Sequence, residues 1–243
     1  MRFVIAPTAA DRDRLAARWI VESARPGRYL ALAVGASQQG AYRELAGHAR
    51  SLDGARGISL DELHPLPAGD PRSFGAQLAC GLGADTGIGL ERWDSSAADP
   101  QSEAEAVEAR VRTAGLSGCV LGLGPNGHIA FNEPGVALDA PSRVTALDPR
   151  TVAHLGGADA IAPAVRGMTM GIPLLLSAAR VLLLVVGDKA DAFRSLVLGP
   201  LTGAVPATAL RLHPDVTVLC TPREAAALPG EILGLLQEER RAG

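Results

Sequence analysis

The chain has 243 residues, 47% of them hydrophobic and 20% charged, with a formal net charge of −3. That size suits one large α/β domain or two small ones, and the slight acidity argues against nucleic-acid or anionic-membrane binding as the main activity. No apolar run approaches a bilayer span and Met1–Ala6 lacks signal-peptide anatomy, so neither a membrane partner nor export is expected.

Strand and helix signals alternate along the chain. Arg2–Ala6 reads as a first strand, and Thr8 with Asp11 opens a helix whose apolar face includes Leu15, Trp19 and Ile20. Tyr29–Val34 is a second strand, followed by Gly35-Ala36-Ser37-Gln38-Gln39-Gly40 and a helix predicted to begin near Ser37. Free amides and a hydroxyl at a helix start can hold phosphate, but Ser37 serves equally well as an ordinary N-cap. Gly57–Leu60 is a third strand, and Asp61-Glu62 puts a carboxylate where it ends. A partly buried Asp61 is suited to act as general base on a carbon acid, although Asp after a strand is also a common turn or cap residue.

Ala97–Pro100 is expected to be an exposed loop, and Ser102 with Glu105 to open a helix running to Ala114. Gly118–Leu123 is a fourth strand and leads into the loop Gly122–Gly135. Val181–Val186 is a fifth, followed by Gly187-Asp188-Lys189 and a helix started by Asp188 with Asp191 and stopped by Gly199. Val216–Cys220 is the sixth. Strands separated by helices imply an α/β fold: a mainly parallel sheet with helices on both faces, Rossmann-like in kind. With no repeat, low-complexity tract or linker, residues 1–243 read as a single domain. Ligands collect beyond the carboxyl ends of such strands, so the polar clusters after four of them are expected to converge.

The loop after the fourth strand carries the densest chemistry. It runs Gly122-Leu123-Gly124-Pro125-Asn126-Gly127-His128-Ile129-Ala130-Phe131-Asn132-Glu133-Pro134-Gly135. G-x-G-x-x-G is literally present, but a dinucleotide fingerprint needs a helix starting at the loop, and Pro134-Gly135 leaves no room for one. His128 and Glu133 form a plausible acid–base pair, because a carboxylate that orients imidazole also stabilises its cation. Asn126 and Asn132 supply hydrogen bonds but no proton transfer. A polar loop that merely packs on itself is the plainer alternative. The five histidines lack metal-ligand spacing and no paired CxxC exists, so no metal is expected. Cys80, Cys119 and Cys220 read as buried free thiols of a reducing cytoplasm. Lys189 is one lysine among 23 basic residues, which singles out that position or reflects coding bias.

Read with its leading Leu121, this loop resembles the signature of the glucosamine-6-phosphate deaminase (isomerase) family. Leu60-Asp61-Glu62-Leu63 with Leu66-Pro67, Thr169-Met170-Gly171-Ile172, and Leu210–Pro214 with Val216–Cys220 agree, so the likeness runs through nearly the whole chain. The 6-phosphogluconolactonases belong to the same superfamily, but the I-A-F-N-E-P-G continuation favours the deaminase branch. The resemblance implies a cytoplasmic hydrolase and isomerase of amino-sugar metabolism, acting on a 2-amino-2-deoxy-hexose 6-phosphate. His128, supported by Glu133 and Asn126, would open the sugar ring, and Asp61 would move a proton between C2 and C1. Gly35, Ala36, Ser37 and Lys189 would bind the phosphate. Neither metal nor organic cofactor is implied, and a homo-oligomer is compatible with the sequence.

Three departures bear on that likeness. Asn126 stands where many members have Asp. Ala33-Val34-Gly35-Ala36-Ser37 differs from the usual P-T-G-G-T/S loop. Ala153-His154-Leu155-Gly156-Gly157 lacks the family's phosphate arginine, for which Arg143 or Arg166 would have to reach in. A relative acting on an unphosphorylated sugar, a lactonase and a non-catalytic sugar-phosphate sensor are therefore kept as alternatives.

Overall fold

All six strands read from the sequence form, and they lie side by side in one parallel sheet. The structure, a computed structural model, describes residues 1–164 and 166–231. The chain begins β1 (Arg2–Ile5), α1 (Ala9–Ser23), β2 (Tyr29–Leu32), α2 (Gln39–Ala46), β3 (Arg56–Ser59) and β4 (Asp61–His64). It continues through α3 (Phe74–Leu82), β5 (Gly89–Leu90), α4 (Pro100–Ala114), β6 (Leu116–Gly122) and β7 (Arg143–Thr145). Next come α5 (Pro149–His154), α6 (Ala158–Ile161), β8 (Arg166–Thr169) and α7 (Ile172–Leu175). The described part ends with β9 (Val181–Leu184), α8 (Ala190–Leu198), β10 (Val216–Cys220) and α9 (Pro222–Ala225). The expectation of one domain over 1–243 includes position 165 and positions 232–243, which lie outside the described residues.

The main sheet has the order β1-β10-β9-β6-β2-β3-β5. Its central strands are buried along their whole length, as the uninterrupted Val181–Leu184 and Val216–Cys220 runs require when both faces are covered. Alternate side chains serve opposite faces. Tyr29, Cys119 and Val181 meet Val107 and Val111 of α4 and Phe193 of α8, whereas Leu30, Val120 and Leu182 meet Ile20 of α1 and Leu45 of α2. Ile20 and Leu45 are fully buried, each worth about 1.5–3 kcal/mol of transfer free energy.

A second, antiparallel sheet with the order β4-β8-β7 was not read from the sequence. Its strands have three or four residues and no alternation, too little for a periodic signal. It carries Asp61 opposite Thr169, so the chain crosses from one sheet to the other at the candidate base.

Several local expectations are corrected. Thr8 does cap α1 by accepting from the Asp11 N–H at 3.1 Å, but Leu15 points outward at 38% exposure. The second helix starts later than predicted, with Gln38 rather than Ser37 at its N-cap. The fourth starts earlier: Asp99 caps it and Pro100 takes the first turn, where a missing N–H costs nothing. Lys189, not Asp188, precedes α8, and Gly199 ends it as predicted. All three cysteines are free, yet Cys80 is exposed, while burial pushes the Cys119 and Cys220 thiols up. Among the described residues no helix is long and apolar enough to cross a membrane.

Candidate active site

β2 has β3 on one side and β6 on the other, so the loops leaving β2 and β6 part and leave a crevice at the carboxyl end of the sheet. An open cleft occupies it. Gly35, Ala36 and Ser37 wall it after β2, Asp61 after β3, and Gly124 and His128 after β6. Three of the four polar clusters expected to converge do so.

No helix starts between Gly124 and Pro134. The loop instead turns tightly at Gly127, whose φ of 84° favours glycine and whose N–H bonds Gly124 O at 3.1 Å. Gly124 is required for a different reason. The His128 ring lies directly on it, and a Cβ there would sit 2.4–2.5 Å from three ring carbons.

The hydrogen bonds around that ring determine its proton. Asn126 Oδ1 accepts from the His128 backbone N–H at 3.1 Å and lies 2.7 Å from His128 Nδ1, while Asn126 Nδ2 donates to Glu133 Oε2 at 3.1 Å. With its nitrogen committed to a carboxylate, the Asn126 oxygen acts as acceptor, so Nδ1 carries the proton and Nε2 the lone pair. Thr151 Oγ1 and Glu133 Oε2 approach the same Nδ1 at 3.1 and 3.4 Å. Burial raises the Glu133 pKa, but hydrogen bonding and charge from His128, with Thr151 and Asn126, outweigh it and hold the carboxyl below its ordinary range. Glu133 thus stays ionised beside the ring, where a carboxylate is able to stabilise an imidazolium.

Asn132 plays no such part. Its Nδ2 donates to Ile129 O and Met170 O at 3.0 and 2.9 Å, and its Oδ1 accepts from Arg143 at 3.0 Å. It anchors the loop to the end of β8.

Asp61 and Glu62 separate into two roles. Asp61 is 6% exposed and its side chain makes no hydrogen bond or ion pair among the described residues. Burial, then the charges of Glu62 and Glu133, push its pKa well above the carboxylate range. Glu62 is fully buried and accepts the N–H groups of Leu63, Phe74 and Gly75 at 2.9, 2.8 and 3.1 Å. It fixes the start of α3 and is unavailable for chemistry.

Lys189 departs from the expected position. It does not line the cleft but is half-buried in a separate recess with Asp188, Arg223 and Glu224. Its charge reaches His154, which does line the cleft and whose pKa is lowered by burial, then by Lys189 and His128. Neither candidate replacement for the missing arginine enters: Arg143 bonds Asn132 and Pro141 O, and Arg166 is exposed at the start of β8. Thr151, His154 and Gln38 are site residues that sequence reasoning did not single out. Asp148-Pro149 signals a helix start, but nothing in the sequence aims that helix at His128.

Known proteins share this architecture. The profile of the family described as glucosamine-6-phosphate isomerases/6-phosphogluconolactonase matches residues 66–219. A Beutenbergia cavernae protein named glucosamine-6-phosphate deaminase is 34% identical, across 94% of this chain and 93% of its own length. One of the same name from Corynebacterium aurimucosum is 32% identical, across 99% of each. A solved monomeric glucosamine-6-phosphate deaminase superposes with a TM-score of 0.86 at 28% identity, covering 94% of this chain and 100% of that one. From the profile match and from identities above 30% along almost its whole length, the chain belongs to the glucosamine-6-phosphate isomerase/6-phosphogluconolactonase family.

Proposed function

We propose that this chain converts glucosamine 6-phosphate into fructose 6-phosphate and ammonia. The observation that carries the reading is the pairing, in one cleft, of a buried Asp61 and a His128 Nε2 that both lack a hydrogen-bond partner among the described residues. His128 Nε2 takes the proton of the C1 hydroxyl and returns it to the ring oxygen, opening the sugar. Asp61 then removes the C2 proton and delivers it to C1 while a second proton passes from the substrate nitrogen to O1, which turns the 2-amino aldose into a 2-imino sugar with a C1 hydroxyl. Water adds at C2, the C–N bond breaks, and ammonia leaves with the ketose behind. Water is consumed, so the net change is a hydrolytic deamination built on aldose–ketose isomerisation. A substrate ammonium at C2 favours the ionised form of Asp61, against the burial and carboxylate charges that disfavour it.

Residues 1–243 are read here as one catalytic domain with a small-molecule partner. A sugar phosphate does not cross a bilayer because burying its charge is prohibitive, so the reading places the enzyme in the cytoplasm. The direct test is ammonia release from glucosamine 6-phosphate and from free glucosamine, with the ketose identified by chromatography. No release from either would overturn the reading. One observation favours a second reading, an enzyme of the unphosphorylated amino sugar: among the described residues, no arginine or lysine lines the cleft. Faster turnover of the free sugar would select it.

Two expected results test the geometry. In Gly124→Ala the imidazole must move by roughly 1 Å to clear the new methyl, a displacement worth about 100-fold in rate. Turnover should fall by that amount while melting temperature stays near wild type; unchanged turnover would show that the ring position is not catalytic. Because Lys189 stands outside the cleft lining, Lys189→Ala should raise KM for the phosphorylated sugar by less than the one to two decades that a direct charge-assisted contact of about 1.5–3 kcal/mol would give. Equal losses for the phosphorylated and the free sugar would make Lys189 structural.

A further inference from the structure

The helix after β2 begins without a side-chain cap. Gln38 holds the N-cap position of α2, yet its side chain bonds none of the first-turn amides, so the helix start has no side-chain acceptor from its own cap residue. Gln38 is itself one of the residues lining the cleft. It is cradled by two glycines at the crossing of β2 and β6: a Cβ on Gly122 would meet Nε2 at 2.9 Å, and one on Gly35 would meet Oε1 at 3.5 Å. Gln38 is 2% exposed and its Nε2 has no hydrogen-bond partner among the described residues. A buried unpaired donor costs stability, so its presence in a cleft wall calls for an explanation. Half a turn about the last torsion brings either end of the carboxamide to the same place.

We propose, building on the sugar-phosphate reading above, that Gln38 is a further substrate-binding residue whose carboxamide donates to a phosphate oxygen seated over the start of α2. One tetrahedral anion offers enough acceptor oxygens to satisfy both the first-turn amides and this donor. In a cleft whose described lining includes no arginine or lysine, a neutral donor takes a share of the work that a guanidinium would do. The later helix start is what permits this, since it frees both Ser37 and Gln38 from capping.

The test compares wild type with Gln38→Leu, which keeps the size and removes the donor, and Gln38→Glu, which sets a carboxylate against the anion. Inorganic phosphate is titrated by calorimetry into the full chain. KM and kcat for glucosamine 6-phosphate, affinity for free glucosamine and melting temperature are measured alongside. Gln38→Leu should weaken phosphate binding and raise KM for the phosphorylated sugar about tenfold, leaving free-glucosamine affinity unchanged. Its melting temperature should equal or exceed that of wild type, because an unpaired buried donor is gone. Gln38→Glu should bind phosphate more weakly still. Wild-type phosphate affinity in Gln38→Leu overturns the proposal, and so does an equal loss for free glucosamine or a parallel loss of stability. Absence of saturable phosphate binding by wild type overturns it too. If wild type binds phosphate but releases no ammonia from glucosamine 6-phosphate, the reaction assignment fails, and the phosphate titration alone decides the role of Gln38.

Discussion

Asp61→Asn is expected to abolish deamination while making the protein more stable at neutral pH. Asparagine keeps the shape and removes the base, so proton transfer at C2 should fall by about 10²–10⁴-fold, with substrate binding retained. The stability change follows from the buried carboxyl. Its folded pKa lies well above the ordinary carboxylate value because of burial and the charges of Glu62 and Glu133. The native state therefore holds the proton more tightly than the unfolded chain. Both states are protonated below the unfolded value, and native stability is lost as pH rises through the folded one. Each tenfold difference in proton affinity is worth about 1.4 kcal/mol. Asparagine has nothing to ionise, so Asp61→Asn should melt above wild type near pH 7 but show no such advantage near pH 4. The acidic limb of wild-type kcat/KM should likewise lie above the usual carboxylate range. Wild-type turnover in the variant would remove Asp61 from the mechanism, and a lower melting temperature at neutral pH would contradict the cost assigned to its burial.

This trade of stability for chemistry explains what was legible in the sequence. Long apolar strands such as Gly118–Leu123 and Val181–Val186 announce themselves, because burial on both faces leaves little choice of residue. The loop after β6 was equally legible: Pro134 excludes a helix, and His128 with Glu133 has no reason to cluster in a core. Asp61 was ambiguous beside Glu62, since two adjacent carboxylates look alike until Leu63, Phe74 and Gly75 donate to one of them. The contact of Thr151 with His128 joins residues 23 positions apart through a small antiparallel sheet too short to show periodicity. Ser37 was misplaced as a helix start because Gln38 does not behave as a cap, and caps are what sequence reading uses to find helix ends.

His128→Gln should separate the two proton transfers that the cleft performs. Glutamine can still hydrogen-bond Asn126 or the substrate but cannot take up and return a proton near neutral pH. Ring opening should then proceed at little more than its spontaneous rate, lowering kcat by about 10²–10⁴-fold. Asp61 is untouched, so the C2 step stays fast once an open chain forms, and rate limitation moves from isomerisation to ring opening. The isotope effect from deuterium at C2 reads this shift directly. It should collapse toward unity in His128→Gln and persist in the residual activity of Asp61→Asn, where C2–H cleavage remains the slow step. Affinity for 2-amino-2-deoxyglucitol 6-phosphate, an open-chain analogue that needs no ring opening, should match wild type. The expectation follows from the Nδ1–H tautomer imposed by Asn126, which leaves Nε2 as the one ring nitrogen able to receive the C1 hydroxyl proton. A full isotope effect in His128→Gln together with the lowered kcat would instead place His128 at the C2 step and reverse the division of labour with Asp61.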